Sequence, residues 1–336
     1  MTDRIPNSPP VIKPVSEPNR PLWSVMIPTY NCITFLKSAL ESVLQQDPGP
    51  EKMQIEVIDD YSTDGDVEAV VREVGKGRVG FYRQPHNRGS LRNFETCLNR
   101  AKGQWIHLLH GDDKVSHGFY NEIQALFDTH PEAGAAFVKN SYINERGYET
   151  GMEREVQEAP GIINNWLEII ATRQRLQPPA IVVKRDVYEK LGGFFAVHYG
   201  EDWEMYTRIA AHYPVAYSPK YLAQYRVHQN NITSRSYLAG QHIKDLKRVM
   251  QIIEGYLPPE KRKRIKKNSL KIKSVWFARH AHAVYLKNPK AGLMHARNAL
   301  NLDLNLLSFG FSFLVFLKYL TRWRRTGGQK EKETFK

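Results

Sequence analysis

Two pairs of adjacent aspartates, Asp59-Asp60 and Asp112-Asp113, each follow an apolar run, IEVI before the first and WIHLLHG before the second. One such pair alone reads as a turn former or helix N-cap, because Asp readily accepts hydrogen bonds from nearby backbone N–H groups. Two pairs at equivalent strand ends read as a shared ligand set. Hard carboxylate oxygens at an open crevice suit Mg²⁺ or Mn²⁺ held together with substrate phosphates. A third acidic pair, Glu201-Asp202, opens a segment with helical character; its structural alternative is a pair of first-turn acids placed favourably against the helix dipole.

Strands and helices alternate through the region that must position these residues. Trp23–Pro28, 55–59, 79–84 and 105–109 read as strands, followed by the apolar run 135–138. Between them, 34–44, 66–74, 90–101 and 118–129 carry helical periodicity, with Phe35, Leu36, Ala39, Leu40, Val43 and Leu44 on one face of the first. This spacing predicts an α/β fold with a mainly parallel central sheet flanked by helices, whose ligand site lies outside the carboxyl ends of the strands. Further on, 179–184 and 215–226 read as strands and 201–212 as a helix, and a C-terminal helical extension follows over 237–256, 259–286 and 290–300, broken at Pro258 and Pro289. Residues 1–21, with six prolines and no apolar periodicity, read as a flexible leader. The expected organisation is therefore a leader over 1–21, a working domain over 22–236 and a basic helical region over 237–336.

The chain has 336 residues, 41% hydrophobic and 25% charged, which excludes a disordered tail or a fibrous repeat. Cys32 and Cys97 form neither a disulfide framework nor a CxxC metal pair, so a reducing, cytoplasmic setting is expected. The N-terminus shows no signal-peptide apolar core, and no uncharged stretch is long enough to span a bilayer. Net charge is +13, but unevenly placed: from Gln241 onward 22 Lys and Arg face 6 Asp and Glu, leaving the first 240 residues at −3. A near-neutral working domain joined to a cationic tail predicts contact with an anionic surface through that tail.

PTYN at 28–31, IDDYSTD at 58–64, NRGSLRN at 87–93 and HGDD at 110–113, followed by GGF at 192–194, GEDW at 200–203 and YRVH at 225–228, stand in one order. In that order they resemble family-2 glycosyltransferases of the GT-A fold, over about Leu22 to Ser234. The resemblance implies an inverting transferase that uses a nucleoside-diphosphate sugar, UDP-linked by expectation, and a saccharide or lipid-linked saccharide hydroxyl as acceptor, in cell-surface polysaccharide or glycan synthesis. It implies that Pro28, Thr29 and Tyr30 hold base and ribose, that Asp59 and Asp60 accept from the base N3–H, and that Arg92 and Asn93 flank the nucleotide. Arg88 has a weaker claim, as a loop arginine.

HGDD stands where many members carry Asp-X-Asp-Asp. Asp112 and Asp113 become the expected ligands of Mg²⁺ or Mn²⁺, with Asp112 also toward the donor, while His110 departs from the family's pattern. His228 falls at a metal- or diphosphate-contacting position, and Arg226 is placed to offset phosphate charge. Glu201 and Asp202 match the acidic pair near the acceptor, and Asp202 is the expected general base.

Rival readings have less support. GKGRVG at 75–80 is a literal GxGxxG, but it follows a helix and precedes a strand, the reverse of a dinucleotide-binding turn. A sugar-nucleotide-forming nucleotidyltransferase would need a Gly-rich basic loop after the first strand, where PTYNCITF stands. An inactive sugar-nucleotide sensor would share the motifs and is separated only by a turnover assay. Asn231-Ile232-Thr233 is a glycosylation sequon without the secretory signal that would expose it. KRKRIKK at 261–267 could bind a nucleic-acid backbone, yet no recognition module accompanies it, and nucleic acid is not expected as a partner. Leu304–Leu317 is 14 residues without charge, about 21 Å as a helix. Lys318, Arg322, Trp323, Arg324 and Arg325 follow it. That composition predicts an interfacial helix on anionic lipid; a buried helix packed on the domain is the alternative.

Overall fold

In the computed structural model, which describes residues 4–228 and 241–325, the first apolar run forms β1 (Trp23–Thr29), buried along its whole length, and leads into α1 (Ile33–Leu44). The alternation continues through β2 (Met53–Asp59), α2 (Val67–Gly75), β3 (Gly80–Arg83), α3 (Ser90–Arg100), β4 (Trp105–Leu108), β5 (Lys114–Val115) and α4 (Phe119–Thr129). Then come β6 (Ala135–Ile143), β7 (Glu149–Met152), β8 (Gly161–Ile162), α5 (Trp166–Thr172), β9 (Ile181–Lys184), α6 (Arg185–Leu191), α7 (Glu201–His212) and β10 (Val215–Arg226). Asp66 caps α2 by accepting from Ala69 N, at 3.0 Å, as its type and place dictate.

The strands form one sheet in the order β3-β2-β1-β4-β9-β6-β10-β5, with β7 beside β6 and β8 beside β10. The expected parallel register holds for β1 with β2 and β4, for β2 with β3, and for β6 with β10. The second half of the sheet is mixed: β9 runs antiparallel between β4 and β6, and β5 runs antiparallel on β10. The core beneath combines Val25, Ile27, Leu36, Leu40, Val57, Phe119 and Ile123.

The leader is not loose. Residues 4–21 take no regular structure, yet Ile12 is fully buried, and the Pro6 and Pro10 carbonyls accept from Ala196 N and Gly193 N at 2.9 and 2.8 Å. Arg185 donates to Lys13 O at 2.7 Å, and Arg4 to Asn87 Oδ1 at 2.5 Å. Proline removes donors but keeps carbonyls, so a Pro-rich segment can still be tied down as an acceptor strap.

His107 shows how tightly this half is packed. Its ring is buried between Tyr120 Oη at 3.2 Å and Pro179 O at 3.1 Å. A carbonyl only accepts, so Nε2 carries the proton and Nδ1 accepts from the tyrosine. Burial lowers its pKa to about 3, only partly offset by the Pro179 carbonyl. Below the ordinary histidine value of about 6.5 the unfolded chain takes up a proton that the folded chain refuses, so stability falls with pH. We expect this site to remove up to about 1.4 kcal/mol per pH unit between about pH 6 and pH 4. His107→Gln should flatten that slope in urea titrations.

The chain divides into two compact units, 4–170 with 174–228, and 171–173 with 241–325. The second contains α8 (Gln241–Tyr256), α9 (Pro259–Lys287), α10 (Pro289–Leu302) and α11 (Leu306–Arg325). Pro259 and Pro289 begin helices rather than merely breaking them, as proline does in a first turn. Gly292 brings α10 so close to α9 that a Cβ there would lie 2.4 Å from Tyr285 Cα. Residues 237–240, the sequon 231–233 and the end of the family-like stretch at Ser234 lie outside the described residues.

Candidate active site

The parallel register sets the site. Thr29 at the tip of β1 pairs with Asp59 at the tip of β2, and Asp60 N donates to Thr29 O at 2.8 Å. On the other side of β1, Gly111 N donates to Pro28 O at 3.1 Å. Both aspartate pairs therefore flank one strand tip. Gly111 allows that approach: a Cβ there would lie 2.7 Å from Thr29 Oγ1 and 3.1 Å from Cys32 Sγ.

Asp59 and Asp60 are both buried and already hydrogen-bonded. Asp59 Oδ1 accepts from Ser62 N and Oγ at 3.0 and 2.5 Å, and its Oδ2 pairs with Arg83 at 2.5 Å. Asp60 accepts from Arg88 N at 2.6 Å and from Gly89 N and Asn87 Nδ2 at 2.8 Å. Burial raises the Asp60 pKa, and the Arg88 and Gly89 amides offset part of that. Asn93 turns inward: it is buried, donates to Ile58 O at 2.9 Å and accepts from Gln84 at 3.1 Å. It ties α3 to the end of β2. Arg92 pairs with Glu95 on the same helix at 2.7 Å. Tyr30 remains exposed at the tip, and Tyr61, also exposed, holds φ +65° under the Arg83 guanidinium. Asp64, absent from the expected set, accepts from Ile33 N at 2.9 Å and so caps α1 across the loop. The STD that follows IDDY was the signal for it.

The second pair is arranged differently. His110, Asp112 and Asp113 place one ligand atom each within 4.8 Å of one another. Asp113 Oδ1 accepts from Arg226 N at 2.8 Å, while Oδ2 is buried with no partner among the described residues. Burial, and then the Asp112 charge, hold its pKa well above the carboxylate range, offset in part by Arg226. Burial also acts to raise Asp112, but the His228 hydrogen bond and the nearby imidazoles outweigh it and leave that pKa lowered. Burial lowers His110, so its imidazole is neutral and keeps a lone pair. Two carboxylates, one with an oxygen buried and unpaired, beside a neutral imidazole form a donor set that fits a divalent cation. His110, which breaks the family's acidic pattern, is thus part of the group.

Antiparallel pairing of β10 on β5 brings YRVH to this turn. Arg226 is buried, with Nε on Asp112 O at 2.8 Å and Nη1 on Asn144 O at 2.9 Å, and it lies over the Phe35 ring at 4.7 Å. It clamps the Asp112-Asp113 turn instead of presenting a free guanidinium to phosphate. His228 Nε2 lies 2.9 Å from Asp112 Oδ2. A carboxylate accepts, so this nitrogen donates, and His228 orients Asp112 in this arrangement. Arg226→Lys keeps the charge but cannot satisfy both carbonyls. We expect it to cost about 2 kcal/mol or more in urea unfolding and to weaken divalent-cation stabilisation of the protein.

A cleft leads from His110 past Phe94, Tyr188 and Phe194 to Glu201 and Asp202 at the start of α7. Gly200, at φ +90°, turns the chain into that helix. Asp202 Oδ1 accepts from Trp203 N and Oδ2 from Gln174 Nε2, both at 2.7 Å. Trp203 is fully buried, with Nε1 on Ile170 O at 2.6 Å. The acid is thus fixed from two sides, facing the same cleft as the β4 tip.

The chain is 32% identical over 130 residues to an uncharacterized glycosyltransferase of Mycoplasma genitalium, a match covering 38% of this chain and 43% of that one. Over 167 residues it is 23% identical to the poly(ribitol-phosphate) beta-N-acetylglucosaminyltransferase TarS of Staphylococcus aureus, 49% of this chain and 29% of that one. The matched segments thus span less than half of either relative. In fold it is similar to TarS residues 1–349 in complex with UDP-GlcNAc, with a TM-score of 0.62, 17% identity and coverage of 83% and 81%. It is also similar to the mannosyltransferase PcManGT of Pyrobaculum calidifontis in complex with GDP-Man and Mn²⁺, with a TM-score of 0.54, 18% identity and coverage of 98% and 86%. The family model for glycosyl transferase family 2 matches residues 24–192, half of the chain. With the order of strand-tip motifs and the geometry they adopt, this match places the chain in glycosyl transferase family 2.

Proposed function

We propose that the chain is a metal-dependent, inverting glycosyltransferase that moves a hexosyl or N-acetylhexosaminyl group from a UDP-linked donor to a hydroxyl of a saccharide or lipid-linked saccharide. The setting proposed is cell-surface polysaccharide or glycan synthesis, with the protein peripheral to the cytoplasmic face of a membrane. The observation that carries the reading is the buried Asp113 Oδ2, without a partner among the described residues, beside Asp112 and His110, with His110 lining the same cleft as Glu201 and Asp202. The nucleotide sugars in the similar structures, UDP-GlcNAc and GDP-Man, and the poly(ribitol-phosphate) that TarS is named for, support the donor class and the setting.

In this reading Pro28, Thr29, Tyr30, Asp59 and Asp60 frame the base and ribose, and Arg92 lies beside the nucleotide on α3. Asn93 and Arg226 hold the two walls. His110, Asp112 and Asp113 hold Mn²⁺ or Mg²⁺, with His228 orienting Asp112. When bound, the ion neutralises charge that develops on the departing diphosphate. Asp202 takes the proton of the acceptor hydroxyl as its oxygen attacks the anomeric carbon on the face opposite the nucleotide, and Glu201 supports the negative end of that cleft. Gln174 and Trp203 N–H keep the Asp202 carboxylate aimed.

The test is a panel of UDP-, GDP-, dTDP- and CDP-sugars with Mn²⁺, read by release of free nucleoside diphosphate and by thermal shift. The expected result is that one UDP-sugar gives turnover and that UDP raises the melting temperature only with the ion present. A shift that is equal with and without the ion would end the metal-dependent reading.

A further inference from the structure

In α11 the large apolar side chains point out and the small polar ones point in. Leu306, Phe309, Phe313, Leu314, Leu317 and Leu320 are all exposed, Leu306 at 92% and Phe309 at 52%. Ser308, Ser312 and Val315, on the opposite side, are fully buried. The serines are satisfied there: Ser312 Oγ donates to Ala296 O at 3.1 Å and Ser308 Oγ to Asp303 O at 2.9 Å. The seam that α11 meets sets Ala281 and Ala296 buried beside Val315, with Tyr285 completing the cluster and Leu293, Phe316 and Tyr319 packed at its edge. Packing through small residues and serines, with Leu and Phe outward, is how helices associate in an apolar medium. In water the hydrophobic effect favours the opposite facing.

We propose that the outward face of α11 lies in the plane of an anionic lipid bilayer. This rests on the peripheral placement proposed above and gives it a surface. It does not need the transfer chemistry, so vesicle binding and sugar transfer can fail separately. From Leu306 to Leu320 the stripe is about 21 Å long, and no described helix is long and apolar enough to cross a membrane. The helix therefore lies flat, with its apolar face toward the acyl chains. Charge selects the occupant. Residues 259–325 hold 16 Lys and Arg against 2 acidic residues. Lys318 is exposed within the helix, and Arg279 lies over the Phe311 ring at 5.1 Å. A second copy on the same face would bring two such cationic surfaces together, whereas anionic headgroups complement one. Arg322, Trp323, Arg324 and Arg325 end the helix in sequence; their side chains lie outside the described residues.

The test is sedimentation of the full chain with vesicles of phosphatidylcholine alone and with added phosphatidylglycerol. We expect at least about tenfold greater partition onto the anionic vesicles, weakening with salt. The triple substitution Phe309→Ser, Phe313→Ser and Leu317→Ser keeps every charge and the buried seam, and should lower that partition at least about tenfold with an unchanged melting temperature. Binding equal to the parent's would overturn the proposal, as would a parent that dimerises through this face and ignores vesicles. If the triple variant fails to fold, an environment-sensitive dye on Phe313→Cys should shift to the blue on anionic vesicles while the same dye on Asn301→Cys does not. Cys32 and Cys97 are buried and leave the labelling selective. No difference between the two positions would equally overturn it.

Discussion

Replacing Asp113 by Asn should make the metal-free protein more stable while abolishing turnover. Asp113 Oδ1 is held by Arg226 N, but Oδ2 is buried without a partner among the described residues, and the Asp112 carboxylate lies beside it. An unpaired buried charge is costly, and the amide removes that charge while its oxygen still accepts from Arg226 N. A gain of about 1–3 kcal/mol in EDTA is expected, equivalent to roughly 3–8 °C in melting temperature for a unit of this size. Added Mn²⁺ should stabilise the parent and leave the variant unmoved. Turnover should fall by about 10³ or more, since the charge on the leaving diphosphate loses its counterpart. A variant that is less stable than the parent in EDTA would show that Oδ2 is not waiting for a cation.

Asp202→Asn should separate binding from chemistry. The amide is nearly isosteric and its oxygen still accepts from Trp203 N, while Gln174 must turn its own amide to accept from the new NH2, but the substituted side chain cannot take a proton. The kcat should drop by about 10²–10⁴, the range general-base catalysis contributes. UDP affinity in the presence of Mn²⁺ should stay within about twofold, because the expected nucleotide contacts, at the tips of β1 and β2, do not include Asp202. Turnover close to the parent's would remove Asp202 from the role of base. Glu201→Gln, tested beside it, distinguishes the two neighbouring acids.

What could be read beforehand was local. Asp59-Asp60 and Asp112-Asp113 announce themselves because an apolar run followed by paired acids fixes both a strand end and a ligand type, and parallel neighbours then bring the two tips together. Glu201–His212 and Val215–Arg226 were legible for the same reason, from period and turn residues. Pairing across the sheet was not. Nothing in IVVK says that β9 enters antiparallel between β4 and β6, since ladder partners lie far away in sequence. Helix facing was also hidden: the motif that names Asn93 does not show that its amide turns to Ile58 O and Gln84. The sequence placed Arg226 and His228 at the ligand; that both also hold the Asp112-Asp113 turn could be seen only in the fold. In α11 the apolar content was evident, but which side it faced required the neighbouring helices.

The strap over residues 4–13 has a consequence for the entropy of folding. Its carbonyls at Pro6 and Pro10 meet Ala196 N and Gly193 N, and Lys13 O meets Arg185, so every one of these partners is synthesised more than 170 residues later. Seating those three carbonyls therefore closes loops of more than 170 residues, an entropic cost that the strap's own hydrogen bonds and the burial of Ile12 must offset.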